Sequence, residues 1–241
     1  MERCGYAIKL AYDGSAFHGW QRQPRLEPGA QTVQQALEGA FAALGIEAKL
    51  VAAARTDAGV SARAQVVSLR LRRRLRKADV LVPLQARLPR ALRVLAWTEV
   101  GGSFHARASA LAREYRYRLP APPPGLDLDA ARHFLNGLKG TQDRRAYVWR
   151  PVRPTVSTLL AAEILPWSRA GLELRFVADR YGRRLVRNWV WAALAAGRGE
   201  PTAVDAEVGW LGPTAPAAGL LLWEVRYAAD PFENAACVAL P

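Results

Sequence analysis

The chain has 241 residues, of which 51% are hydrophobic, and a formal charge of +13. Its hydrophobic content excludes a disordered chain, and its length allows one large domain or two small ones. Among its 34 basic residues only Lys9, Lys49, Lys77 and Lys139 are lysines. Such an arginine excess favours a polyanionic partner, nucleic acid first, although a biased genome or a thermophilic host would also explain it.

Several other function classes find no support in the sequence. Cys4 and Cys237 lie near opposite ends of the chain, and the three histidines are far apart, so neither a disulfide framework nor a metal site is predicted. No cofactor motif is present. No helix is both strongly basic and broadly apolar, which argues against membrane-surface binding. No signal peptide and no apolar run of membrane-spanning length occur, so we expect a cytoplasmic protein.

The first half of the chain alternates between strand and helix patterns. In chain order the patterns predict a strand at 6–12, a helix at 33–44, strands on both sides of 55–59, a helix at 78–87 and a strand at 94–100. Thr32 and Gln35 form a capping box at the start of the first helix, and Pro83 is expected to kink or shorten the second. This β-α-β-β-α-β order is ferredoxin-like.

The second half repeats that order less clearly. The patterns predict strands at 111–119, 159–165, 172–177 and 220–227, with helices after Asp127 and over about 181–196. The basic segment 141–154 has no regular pattern and is either an RNA-contacting loop or a plain connection. We therefore predict an α+β fold of two similar halves, 1–108 and 109–241, related by a pseudo-twofold axis with a cleft between them.

The most informative stretch is the turn between the two central strands of the first half. Asp57 follows Arg55 by two residues and precedes Arg63 by six. Neighbouring cations favour the ionised carboxylate, which can then act as a nucleophile or a base. Asp and Gly are also common in turns for purely local reasons, so this spacing alone leaves a structural role open.

Several motifs, in order, resemble those of the TruA-type tRNA pseudouridine synthase family. They cover nearly the whole chain, and they are YDGS at 12–15, FHGWQRQ at 17–23, ARTDAGV at 54–60 with AQVV at 64–67, FHAR at 104–107, REYRYR at 113–118, VRN at 186–188 and GL at 219–220. The resemblance implies two α/β halves sharing a mixed, mainly antiparallel sheet, with RNA in the cleft. It also implies isomerisation of uridine to pseudouridine in the anticodon arm of tRNA, on the 3′ side of the stem-loop, without metal or cofactor.

The resemblance also implies roles for particular residues. Asp57 is the catalytic carboxylate, Arg187 is the arginine that pairs with it, and Arg55 helps to hold the flipped nucleotide. Tyr115 would stack on the uracil and relay the proton of C5, although both Tyr115 and Tyr117 suit a strand for structural reasons. Arg187 would otherwise be a surface charge on a basic helix face with Arg180, Arg183 and Arg184.

Residues in and around these motifs are further candidates for RNA contacts or for support of the catalytic turn. Arg22, in the first long loop, and Arg107 are candidate RNA contacts, and Ser109 is a third. Trp20 and Gln21 are expected to brace the catalytic turn. The chain departs from the family pattern at six positions, and this leaves the preferred uridines open: Ala54, Ser61, Gln85, Ala108, Arg183 and Arg184.

The predicted partner is thus tRNA, and the resemblance implies that a homodimer binds it. Two alternatives stay open. A non-catalytic RNA-binding protein would suit the ferredoxin-like halves, but it would not need a carboxylate between cations. An RNA-processing hydrolase would use Asp57 to coordinate metal, but a single nearby carboxylate is too few for a two-metal site.

Overall fold

The structure, a computed structural model, describes residues 4–71, 74–151, 154–202, 204–205 and 207–233. Cys237 and parts of the basic segments 70–77 and 141–154 lie outside the described residues. The described strands are β1 Cys4–Tyr12, β2 Lys49–Ala52, β3 Ser61–Leu71, β4 Leu92–Val100, β5 Ala112–Leu119, β6 Gly140–Asp143, β7 Val156–Pro166, β8 Leu172–Ala178, β9 Val204–Asp205, β10 Gly209–Trp210 and β11 Leu220–Arg226.

Four helices accompany these strands within the described ranges. They are α1 Val33–Ala42, α2 Lys77–Gln85, α3 Leu128–Gly137 and α4 Leu185–Gly197. Short 3-10 turns occur at Gly14–Ala16, Arg145–Tyr147 and Ala217–Gly219. The predicted α+β class is confirmed. None of these helices is long and apolar enough to cross a membrane.

The chain divides into two compact units, Met1–Leu111 with Leu222–Pro241, and Ala112–Leu221. In the first unit the strand order is β4-β1-β3, and β3 also pairs with β2 and neighbours β11. The pairings of β1 with β3 and β4, and of β2 with β3, are antiparallel. This is the ferredoxin-like order, and it confirms the β-α-β-β-α-β prediction for the first half.

Local sequence explains the elements of this unit. The alternating residues Tyr6, Ile8 and Leu10 are completely buried on β1, as the period-two pattern predicts. At the start of α1 the Thr32 hydroxyl accepts a hydrogen bond from the Gln35 amide at 3.2 Å, and the Gln35 side chain accepts one from the Thr32 amide at 3.0 Å. The predicted capping box is confirmed. Helix α2 contains Pro83 and ends at Gln85, two residues before the predicted end.

In the second unit the strand order is β5-β8-β7-β6, and all three pairings are antiparallel. Two predictions about this unit were wrong. Residues 140–143 form β6 and 145–147 a 3-10 turn, where an irregular loop was predicted. Helix α4 begins at Leu185 rather than near Tyr181, because Arg184 has the left-handed φ of 60° and is the residue before the first helical turn.

Candidate active site

Asp57 lies in the turn between β2 and β3, as the sequence predicts. Asp57 is partly buried, and Thr56 and Val60, which precede and follow it in the turn, are buried. The Val60 amide donates to the Asp57 carbonyl at 3.1 Å. Gly59 takes a φ of 80°, which a residue with a side chain rarely adopts. The turn is therefore tight, and it presents one carboxylate at the end of a rigid sheet.

A second segment of the chain, 17–20, packs against the outside of this turn. The Trp20 amide donates to the Thr56 carbonyl at 3.0 Å, and the Gly59 amide donates to the Phe17 carbonyl at 3.4 Å. A Cβ atom at Gly19 would lie 2.9 Å from the Thr56 carbonyl oxygen, so only glycine fits there without a shift of the turn. The predicted bracing role of Trp20 is confirmed, whereas the Gln21 side chain bonds Gln34 on α1 at 3.1 Å.

A buried polar network holds the turn from inside the unit. The hydroxyls of Tyr12 and Thr56 are 2.8 Å apart, and the Gln65 amide nitrogen reaches the Tyr12 oxygen at 3.4 Å. Gln65 also bonds both backbone groups of Ala54, donating to the carbonyl at 2.8 Å and accepting from the amide at 3.2 Å. Burial raises the pKa of Tyr12 to about 12, so its hydroxyl stays protonated.

The network fixes both ends of the Ala54–Thr56 segment, directly before the carboxylate. A buried polar network with every partner in place specifies one geometry, because each broken bond would leave a desolvated group unpaired. Tyr12 and Gln65 both lie within the family-like motifs YDGS and AQVV, but no role was predicted for either. The signal that was available is a glutamine within the otherwise apolar run Ala64–Val67 of β3, since a buried amide there has to be hydrogen-bonded.

The predicted arginine contacts of the first unit are all exposed. Arg55 lies beside Asp57 in the turn, and Arg107 lies in the 101–109 loop. The Arg22 guanidinium is bound to Glu38 on α1 at 3.0 Å. The guanidinium of Arg63 lies 4.3 Å from the ring centre of Trp223, so its position is set by stacking. The Ser109 hydroxyl accepts from the His105 amide at 3.1 Å within its own loop.

In the second unit Tyr115 and Tyr117 lie on one face of β5, as predicted. Tyr115 is 6% exposed, and its ring meets the ring of Tyr181 edge-on at 5.1 Å. Tyr117 packs against Gly219 so closely that a Cβ atom there would lie 2.6 Å from the tyrosine ring. This contact agrees with a packing role for Tyr117.

Arg187 lies in the first turn of α4, where the helix dipole is positive. Its Nε donates to the Ala215 carbonyl at 2.7 Å, and its carbonyl accepts from the Ala215 amide at 3.3 Å. Burial raises the pKa of Tyr117, and the positive charge of Arg187 opposes that rise. Arg187 is therefore a partly buried, oriented cation. The alternative interpretation, a basic helix face shared with Arg180, Arg183 and Arg184, was wrong, because those three residues precede α4.

The described residues contain no group of three or more His, Cys, Asp or Glu side chains placed to hold a metal ion. The turn of the first unit presents a carboxylate suited to acid–base or nucleophilic chemistry. The second unit offers an aromatic ring on β5 and an oriented guanidinium on α4. Neither unit by itself contains all of the predicted site residues.

Comparison with known proteins gives relatives that match over nearly their full length. The chain is 36% identical to tRNA pseudouridine synthase A of Chlorobium phaeovibrioides, over 91% of this chain and 98% of that one. It is 37% identical to the enzymes of the same name from Methanopyrus kandleri, over 95% and 88%, and Thermus thermophilus, over 90% and 94%. No family model matches the chain. Among solved structures, a Cbf5-Nop10-Gar1 complex aligns with a TM-score of 0.38 and 17% identity, over 78% of this chain and 45% of that chain.

Proposed function

We infer that this chain, which belongs to the tRNA pseudouridine synthase A family, isomerises uridine to pseudouridine in tRNA. The observation that carries the inference is identity of 36–37% to three such enzymes over at least 90% of the chain. The turn that holds Asp57 between Gly19, Trp20 and the Gln65 network supports it. A protein that only binds RNA has no need of a carboxylate fixed in this way.

The reaction breaks the N1–C1′ bond of the nucleoside and joins C1′ to C5. The hydrogen of C5 leaves as a proton, and N1 takes up a proton. The atoms of the reaction balance without an oxidant, a reductant or a co-substrate. We assign the catalytic carboxylate to Asp57, acting as a nucleophile or a base beside the nucleoside. Arg55 is exposed next to it, and its long side chain is suited to occupy the space that a flipped base leaves in the RNA stack.

Tyr115 and Arg187 complete the proposed set. The Tyr115 ring would stack on the uracil, and its hydroxyl would receive or relay the C5 proton. Arg187 would pair with the Asp57 carboxylate and fix its orientation. Two observations support that role: the bond to Ala215 orients the guanidinium, and the positive end of α4 adds to its attraction for an anion.

The finer assignments follow the family resemblance. We propose that the uridines lie on the 3′ side of the anticodon stem-loop, that Arg22 and Arg107 contact the RNA, and that the protein acts in the cytoplasm as a homodimer. Sedimentation of the purified protein tests the last point, since a mass of one chain at micromolar concentration contradicts the dimer.

The decisive experiment uses tRNA labelled with tritium at C5 of uridine, because that hydrogen must leave. We expect the wild-type protein to release label and Asp57→Ala to release none while it still binds tRNA. Asp129→Ala is the matched control, since it removes an exposed carboxylate from α3. In the same assay we expect Arg187→Ala to lower kcat more than it weakens tRNA affinity.

The outcomes separate the rival functions. Binding without label release by the wild-type protein would favour a non-catalytic RNA-binding module. Equal release by wild type and Asp57→Ala would remove Asp57 as the essential group. If Arg187→Ala changed affinity alone, Arg187 would be an RNA contact rather than a partner of the carboxylate.

A further inference from the structure

Three arginine side chains of the second unit converge on a single tryptophan. The guanidinium carbons of Arg183 and Arg184 each lie 4.3 Å from a ring centre of Trp149, and that of Arg150 lies at 4.5 Å. We call these four residues the Trp149 patch. Trp149 is partly buried, while Arg150 and Arg183 are exposed, so the guanidinium groups are accessible from solvent.

The backbone holds the patch in an unfavourable conformation. The Trp149 amide donates to the Arg183 carbonyl at 3.2 Å, which ties the two segments together. Arg150 has a φ of 51° and Arg184 a φ of 60°, and they are the non-glycine residues with positive φ in the described part of the chain. Side chains rarely adopt that region, and residues held there concentrate at functional sites.

In the described part of the chain, no carboxylate balances the charge of the patch. Within the residues that the structure describes, none of its three arginines forms an ion pair. Other arginines of the same unit do pair with Asp or Glu, and these are Arg116, Arg118, Arg132, Arg145, Arg175, Arg180 and Arg198.

Three positive charges around one ring repel each other, and contact with the ring face offsets only part of that cost. Helix α4 begins at the residue after Arg184, so the positive end of its dipole adds to the local field. An anion with several oxygen atoms would relieve the repulsion. Phosphate suits this site, because a planar guanidinium can donate two parallel hydrogen bonds to two phosphate oxygens.

We propose that the Trp149 patch binds phosphodiester groups of the RNA substrate, as a docking site distinct from the residues that act on the uridine. The proposal rests on the proposed function, because it takes the polyanion to be tRNA. It assigns Arg183 and Arg184 to affinity and to the placement of the RNA, with no part in bond making.

The test measures tRNA binding over a range of salt concentrations for Arg183→Gln/Arg184→Gln. Each lost phosphate contact should lower the magnitude of the slope of log K against log salt by about 0.7–0.9. We expect a loss of about 1.5 for the double variant and a dissociation constant raised roughly tenfold or more at 0.15 M salt. With saturating tRNA, kcat should equal the wild-type value. The matched control is Arg132→Gln/Arg198→Gln, which removes two ion-paired arginines of the same unit that lie outside the segment 141–154 and should leave the slope nearly unchanged.

A second variant keeps the proposal decidable if the first fails to fold. Arg183→Lys/Arg184→Lys retains the charge but loses the planar stacking group, so we expect most of the salt slope to survive. Unchanged slope and affinity in the glutamine variant would overturn the proposal. So would a folded lysine variant whose salt slope falls as far as two missing charges would lower it, because a retained charge should retain most of the counterion release. Failure of tritium release by wild type would refute the proposed function, yet the slope measurement would still decide the patch.

Discussion

At the scale of single residues, the position of Asp57 depends on a glutamine that makes no contact with substrate in the proposed mechanism. Gln65 is completely buried and bonds both backbone groups of Ala54 as well as the Tyr12 hydroxyl. These bonds hold the three residues before the carboxylate. Gln65 is therefore a positioning residue, and its removal should affect catalysis through the turn.

Gln65→Leu should lower kcat by at least about tenfold while tRNA affinity changes little, because a small displacement of a catalytic group has large rate effects. Loss of its three hydrogen bonds should also cost about 1.5–4.5 kcal/mol of unfolding free energy. Single-turnover tritium release, filter binding and urea denaturation measure the three quantities.

The chain offers a matched control for this variant. Gln85 also binds two backbone groups, accepting from the Val94 amide at 2.8 Å and donating to the Leu92 carbonyl at 3.2 Å. It lies at the end of α2, away from the turn in sequence. Gln85→Leu should reduce stability but not kcat, and equal loss of kcat in both variants would contradict the positioning role.

The sequence predicts the local features of the site but not its long-range contacts. The turn, its strands and the exposed Arg55 follow from local pattern and from the motif at 54–60. The Tyr12–Gln65 contact does not, because the two residues are 53 positions apart and only the pairing of β1 with β3 brings them together. The bond of Arg187 to Ala215 was missed for the same reason.

At the scale of elements, ion pairs that include the buried carboxylate of Glu114 connect neighbouring strands of the second unit. Glu114 on β5 binds Arg116 at 2.8 Å and Arg175 on β8 at 3.1 Å, and Arg175 reaches Glu163 on β7 at 2.9 Å. Burial raises the pKa of Glu114, but the hydrogen bonds from Arg175 and Arg116 outweigh it, so the net pKa is lowered. The ionised form is thus bound more tightly in the folded state.

The sign of the pH effect follows from that direction. A lowered pKa gives stability that is present above the unfolded value of about 4.5 and is lost as the pH falls through the folded value. Glu114→Gln should therefore be less stable than wild type at neutral pH, and its unfolding free energy should fall less between pH 5 and about pH 3. Urea titrations at several pH values measure this difference.

Glu200 provides the control at the same scale. Its pKa is lowered by the hydrogen bond from Arg198, but the pair is exposed to solvent, where ion pairs contribute little. Glu200→Gln should keep the wild-type pH dependence. Parallel curves for wild type and Glu114→Gln would mean that the buried network does not couple folding to protonation.

Elements differed in how far the sequence predicted them. The β-α-β-β-α-β order of the first half was predicted correctly because Tyr6 to Tyr12 alternate and because the capping box marks the start of α1. Strand β6 was missed because all four of its residues are exposed, so no hydrophobic alternation exists to detect. The start of α4 was placed too early because the positive φ of Arg184 leaves no compositional signal in an arginine.

At the scale of the whole molecule, the arginines behind the formal charge of +13 fall into two groups. Many arginines are committed to ion pairs, such as Arg116 with Glu114 and Glu173. Others, such as the three arginines of the Trp149 patch, make none within the described residues. Composition predicted a polyanionic partner, but only the structure distinguishes the arginines that hold strands together from those that are available to phosphate.

This division predicts a strong effect of salt on tRNA binding and a weak effect on the chemical step. Binding that neutralises several phosphates releases counterions, so raising salt from 50 mM to 200 mM should weaken tRNA affinity by roughly a hundredfold or more. With saturating tRNA, kcat should stay nearly constant over that range, because the partly buried carboxylate is little screened. Asp57→Ala should show the wild-type salt slope, since it removes no cation. A shallow slope for the wild-type protein, or a kcat that falls in parallel with affinity, would contradict an RNA-binding surface that is separate from the reacting group.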